Sequence, residues 1–187
     1  MKNITLICLL LITFLATAQS NKNVEKTQSK INIINPGYDY EIAIGDNQTL
    51  DFSAGLAFGY SYSEAFGSEY AFVPALKTQY RYFYNFDRRI RKEKRVSGNS
   101  ANYIAASGRF FTADVIIGNV DSGNGFGGVI GPVYGIQRTY NKGFNFGLEF
   151  GVGYYFFNDS DFGAVNTGVG ATINFTIGWV LGKKKRK

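Results

Sequence analysis

The stretch FNFGLEFGVGYYFF, residues 144–157, alternates between two kinds of side chain. Phe144, Phe146, Leu148, Phe150, Val152 and Tyr154 fall on one face; Asn145, Gly147, Glu149, Gly151 and Gly153 fall on the other. A period of two is that of a β-strand. The composition of the faces is the unusual part, because a wall of bulky apolar groups is backed by glycine and one carboxylate.

Three further runs repeat the pattern. Leu50, Phe52, Ala54, Leu56, Phe58, Tyr60 and Tyr62 oppose Asp51, Ser53, Gly55, Ala57, Gly59 and Ser61. Phe72, Pro74, Leu76, Thr78, Tyr80, Tyr82, Tyr84 and Phe86 oppose Val73, Ala75, Lys77, Gln79, Arg81, Phe83 and Asn85. Val169, Ala171, Ile173, Phe175, Ile177, Trp179 and Leu181 oppose Gly170, Thr172, Asn174, Thr176 and Gly178. Strands are predicted near 30–35, 37–45, 49–62, 70–86, 101–118, 128–140, 143–157 and 164–181, with a bulge near Arg109 in the fifth. No window carries a helical period. The count of eight depends on a turn at Asn35-Pro36-Gly37; a kinked single strand there would leave seven runs and require another within 20–30.

Volume decides which face is inside. Eight strands enclose a space that side chains just fill. Rings from every strand would not fit, whereas Gly, Ser, Ala and Asn with a few long polar chains would. The sequence therefore predicts an all-β, antiparallel, up-and-down transmembrane β-barrel of eight strands, with rings against lipid and polar groups within. Runs longer than the roughly 9–11 residues of a tilted spanning strand agree.

Composition is consistent with this. The chain has 187 residues, with 23 Gly, 17 Phe and 13 Tyr against 3 Pro, a β-rich balance within the size of one domain. It has no histidine, which removes Ser-His-Asp triads, Cys-His dyads and His-ligated metals. No catalytic residue, cofactor site or metal site is predicted.

The start, MKNITLICLLLITFLATAQS, has the order of a secretory signal peptide: basic Lys2, an apolar run over 4–15, and Ala16-Thr17-Ala18 before Gln19. The run is short for a spanning helix. Cys8, the single cysteine, lies within it, so the mature chain would hold no disulfide. The predicted organisation is a leader over 1–18, a flexible lead over 19–29, an outer-membrane barrel over 30–182 and a basic tail over 183–187.

Charge orients the chain. SEAFGSE (63–69), VDSGNGFGG (120–128) and NDSDFG (158–163) carry Glu64, Glu69, Asp121, Asp159 and Asp161 without Lys or Arg. GDNQ (45–48), DRRIRKEKRVSGN (87–99), the NKG turn (141–143) and the KKKRK tail form the alternate set. Short turns and termini are periplasmic in such barrels, which puts the acidic set outside. Periplasmic Arg88, Arg89, Arg91, Lys92, Lys94 and Arg95 form a basic patch that, with the tail over 183–187, suits anionic groups at the inner leaflet or on a periplasmic polymer; a solvated turn with no partner is the equal alternative. No aromatic platform accompanies it, so nucleic acid is not an expected partner.

The segments NPGYDYEIAIGDNQTLDFSAGL, PALKTQYRYFYNFDRRI and GPVYGIQRTYNKGFNFGLEFGVGYYF resemble the small outer-membrane β-barrel proteins of Bacteroidota, on an OmpA/OmpX-like eight-stranded scaffold. That resemblance implies a location and a fold more than an activity. The basic tail departs from barrels that end on an aromatic residue.

On the polar face lie Asp39, Glu41, Asp51, Lys77, Arg81, Arg109 and Glu149. Charges in a low-dielectric lumen need partners, and these predict an interior ion-pair network built on Glu41, Lys77, Arg81, Arg109 and Glu149, with a narrow gated pore or a bound ion at the cluster as the alternative. Glu41 and Glu149 do not make a glycosidase pair, because so narrow a lumen admits no sugar chain. The expected function is a non-enzymatic, monomeric outer-membrane barrel with a structural or surface-interaction role, in contact with outer-membrane lipid and an extracellular partner of the acidic loops. A small pore or hydrophobic-solute channel is the alternative, and a soluble secreted ligand-binding barrel a third.

Overall fold

A computed structural model describes residues 23–64, 67–121, 123–159 and 164–182. The leader, the tail over 183–187 and Asp161 lie outside them. The chain is all-β, one antiparallel sheet of nine strands. In order these are β1 (Thr27–Ile34), β2 (Gly37–Gly45), β3 (Gln48–Ser63), β4 (Gly67–Tyr82), β5 (Asn102–Thr112), β6 (Ile117–Gly118), β7 (Gly125–Thr139), β8 (Phe144–Asp159) and β9 (Ala164–Leu181). Eight of them pair into a closed ring in the order β3-β2-β1-β9-β8-β7-β5-β4, and β4 returns to β3. Chain neighbours are ring neighbours, as short hairpins dictate.

Most predicted runs become strands with shifted ends. Asn35 takes a positive φ of 53° in the turn between β1 and β2, so Asn35-Pro36-Gly37 separates two strands as the even count requires. The sequence reading differs from the structure in four places. No bulge forms near Arg109, where the registers of β5 with β4 and β7 run unbroken. β1 begins at Thr27 and Val24 is buried, so residues 23–29, predicted as part of a flexible lead, pack against the ring. The run predicted over 70–86 stops at Tyr82 and gives way to a short helix, α1 (Phe86–Arg91), which drops Phe86 into the core. Six residues are too few to show a helical period in sequence. The run predicted over 101–118 is two strands: β5 ends at Thr112, and β6 pairs with β4 at Ala71 and Phe72.

The apolar core is small and sits at one end of the ring. Phe83, Phe86, Ala101 and Tyr103 are buried with Val24 and Ala43, and Val96 packs against them. The chain between α1 and β5 folds over that end. Gly98 there adopts φ 66°, and its carbonyl accepts bonds from Thr139 Oγ1 (2.7 Å) and Gln137 Nε2 (3.2 Å). Elsewhere the burial alternates: Thr49, Asp51, Gln79 and Arg81 are buried, whereas Leu76 and Ile130 are exposed.

Closure depends on the β1–β9 seam, where Asn32 opposes Gly178. A Cβ on Gly178 would press on the Ile31 carbonyl and lie 2.8 Å from Asn32 Cα. Backbone cannot yield as a flexible side chain can, so Gly178→Val should overpack the seam and cost about 1–3 kcal/mol. The expected readout is a lower urea midpoint and loss of the compact, fast-migrating form in unheated gels; an unchanged midpoint would contradict closure at this seam.

Candidate interior charge cluster

The ring brings the predicted inward charges other than Arg109 together and adds one the sequence reading missed. Lys30 on β1 is 2% exposed. Its Nζ lies 3.4 Å from Glu41 Oε2, 3.6 Å from Asp51 Oδ2 and 3.8 Å from Asp39 Oδ2. Three carboxylates thus converge on one ammonium, which fills the place a cation would need.

Arg81 on β4 is the second hub. Its Nη2 donates to Asp51 Oδ1 at 2.9 Å and lies 3.4 Å from Glu149 Oε1; its Nη1 is 3.7 Å from Glu41 Oε1. The guanidinium carbon stands 4.9 Å from the centre of the Tyr103 ring, within cation–π range. Tyr103 donates its hydroxyl to Glu149 Oε1 at 2.7 Å, and Lys77 Nζ reaches Glu149 at 3.4 Å. Asn174 Nδ2 donates to Glu149 Oε2 (3.2 Å) and Thr49 Oγ1 to Glu41 Oε1 (2.8 Å).

Register explains why so many partners are needed. Glu41 is directly opposite Asp51 across the β2–β3 ladder, and Lys77 is directly opposite Arg109 across β4–β5. Like charges at opposed positions destabilise a sheet. Lys30 and Arg81 offset the first pair from the two flanking strands, and Glu149 draws in Lys77 from across the lumen.

Of the predicted network residues, Glu41, Lys77, Arg81 and Glu149 make these contacts. Arg109 does not: it has no ion pair within 4 Å and no hydrogen bond among the described residues. Instead it lines a cavity of about 600 Å³ on the acidic-loop side of the network, together with Glu149, Asn174 and Ser107. The walls there include Val73, Phe111, Val129 and Tyr155, which point inward against the expectation of a small, polar interior. At the opposite end Tyr103, Phe83 and Phe86 stack edge to face and close the lumen.

The predicted basic patch clusters at that closed end. Arg88, Arg91, Lys92, Lys94 and Arg95 are exposed, and Arg89 is half-buried. Arg89 Nη2 donates to the Arg95 carbonyl at 2.8 Å and Arg95 Nη1 to Asn141 Oδ1 at 2.6 Å, which fixes the loop without neutralising it. At the acidic end, Ser61 Oγ donates to Glu69 Oε2 at 3.1 Å.

No protein-family model, curated protein or solved structure matches the chain. Functional reading therefore rests on the geometry.

Removing one hub tests the network. Lys30→Met keeps the side-chain length but leaves Asp39, Glu41 and Asp51 without their shared cation. The expected loss is about 3–5 kcal/mol, the usual cost of breaking a buried pair from one side. Adding Glu41→Leu should recover part of it, because the double variant removes an opposed carboxylate. Equal urea midpoints for Lys30→Met and the native chain would contradict the cluster.

Proposed function

We propose that the chain is a non-enzymatic β-barrel spanning the bacterial outer membrane, monomeric and closed at its basic end. The observation that carries this reading is the polarity of the ring. Charges occupy the interior, while large apolar groups cover the outside: Leu76 is 64% exposed, Ile33 58% and Ile104 53%. A continuous apolar exterior is unfavourable in water and is the surface that lipid solvates.

Strand length and aromatic placement support it. β3, β4, β7, β8 and β9 each hold 15–18 residues, enough to cross a bilayer with a tilt. Exposed Tyr60, Tyr62 and Tyr70 lie near the acidic end, and Tyr82, Tyr84, Tyr140 and Trp179 near the basic end. Such rings suit the two interfaces of a membrane.

The closed end disfavours a through-pore. Tyr103, Phe83 and Phe86 are buried across the lumen, and the segment through Gly98 and Asn99 is bonded beneath them to Gln137, Thr139 and Glu25. The exposed arginines and lysines around α1 favour the anionic headgroups of the inner leaflet, and the acidic loops then face outward, available to an extracellular partner.

Two measurements test the proposal together. The protein should stay with the membrane through alkaline carbonate extraction. On intact cells, protease should cut the loop at 119–124 while residues 87–99 remain protected until the envelope is permeabilised. Recovery from periplasm or medium without detergent would refute the membrane reading, and cleavage at 87–99 on intact cells would reverse the orientation.

A further inference from the structure

β1 and β2 have 8 and 9 residues, about half the length of their neighbours. Their turn is pinned on both sides: the Pro36 carbonyl accepts Leu56 N–H at 2.8 Å, and Asn35 Nδ2 donates to the Phe175 carbonyl at 3.0 Å. The β2–β3 ladder stops at Gly55 and the β1–β9 ladder at Ile177. Beyond that level, among the described residues, no strand pairs with the β3 edge over 57–62 or the β9 edge over 164–174. Two of the eight wall strands are missing there, and the ring has a side opening.

The large cavity meets that opening. On β3 it touches inward Ala57 and Gly59 and also outward Phe58 and Tyr60; on β9 it touches inward Thr172 and outward Ile173. Outward Val152 of β8, a strand that pairs with both β7 and β9, touches it too, so the missing ladder and not parity marks the opening. Its volume of about 600 Å³ is within the range of small-molecule sites, roughly 300–1,000 Å³. The walls are largely apolar and the floor is charged. Glu149 on that floor is already held by Lys77, Arg81, Tyr103 and Asn174. Arg109 lines the same cavity and, among the described residues, makes no ion pair within 4 Å and no hydrogen bond.

We propose that this half of the lumen binds a single-chain amphiphile with an anionic head, a carboxylate or a phosphate monoester. The head sits on Arg109, the chain lies along Phe111, Val129 and Tyr155, and the ligand is admitted sideways between β3 and β9. The sideways path rests on the membrane-spanning reading, whereas the cavity and Arg109 do not. The opening gives a long chain a route that the plugged end denies it, and a guanidinium matches either head by paired hydrogen bonds.

The test is photo-crosslinking of the purified full chain in neutral-detergent micelles and in lipid nanodiscs. Three probes carry the same photoreactive 16-carbon chain: a carboxylate, a single-chain glycerophosphate and an alcohol. The carboxylate, alone or together with the glycerophosphate, should label inward positions of β3, β5 and β8. Arg109→Gln should lower that labelling about tenfold, the loss of one charge-assisted contact, and leave the alcohol unchanged. Gly59→Phe, whose Cβ has its nearest neighbour 4.0 Å away, should fold, fill the cup and lower labelling by all three probes.

Labelling by the carboxylate alone assigns a free fatty acid as the source; labelling by the glycerophosphate as well assigns a membrane lipid. Equal labelling by alcohol and acids, insensitivity to Arg109→Gln, or label confined to outward Phe58 and Ile173 would overturn the site. Arg109-dependent lumen labelling in a protein that fractionates without detergent would keep the site and refute the membrane reading.

Discussion

Glu41 and Asp51 face each other across the β2–β3 ladder, two carboxylates at opposed positions in a closed interior. The arrangement is tolerable only because Lys30 arrives from β1 and Arg81 from β4, the strands on either side. Four consecutive ring strands must therefore be in register at once. A slip of one residue would turn the charge on that strand to the outer face. Buried ion pairs are a poor source of net stability, because desolvation offsets much of the attraction. Their effect here is on specificity, by penalising every register but one.

Much of this was legible in the sequence, through parity. Alternation over 144–157 assigns Glu149 to the inside, and the same count places Asp51, Lys77 and Arg81 there; the ring brings all four within contact. Lys30 was missed because a strand begun at residue 30 cannot show the Gln28, Lys30, Asn32 alternation that marks its face. Tyr103 was missed because aromatic residues are the outward class in this chain. Its ring instead lies over Gly135, where a Cβ would collide with it. That contact joins two strands with no sequence signal linking them. Arg109 was placed on the correct face, directly opposite Lys77, but parity carries no information about which carboxylate a long side chain reaches.

The two ends of the lumen are built differently, and chain length sets the difference. At the basic end the β4–β5 connection has enough residues to fold inward, using left-handed turns at Glu93, Gly98 and Asn99. A side chain at Gly98 would meet Thr139 Cβ at 2.7 Å, so the chain can press against β7 only with glycine there. At the other end Phe111 and Phe157 both pack over Gly127, and the cavity lies beside Phe111. The lumen is full where chain is available to fill it and hollow where it is not.

The short β1–β2 hairpin also bears on depth. Unpaired N–H and C=O groups along the upper edges of β3 and β9 would be costly in hydrocarbon, where nothing replaces the missing ladder. On the membrane-spanning reading, those edges must then lie at or above the headgroup level, where water and polar lipid groups can satisfy them. Exposed Tyr60, Tyr62 and Tyr70 sit on the same stretch and suit the same interface. The complete eight-strand wall, from the β1–β2 turn down to α1, is then the part that crosses the hydrocarbon, and it is also the part that encloses the paired charges. Where the wall is incomplete the interior is lined by Val73, Val129 and Tyr155, side chains that tolerate contact with lipid. Wall and contents are matched by depth: paired charges behind a sealed ladder, apolar groups behind an open one.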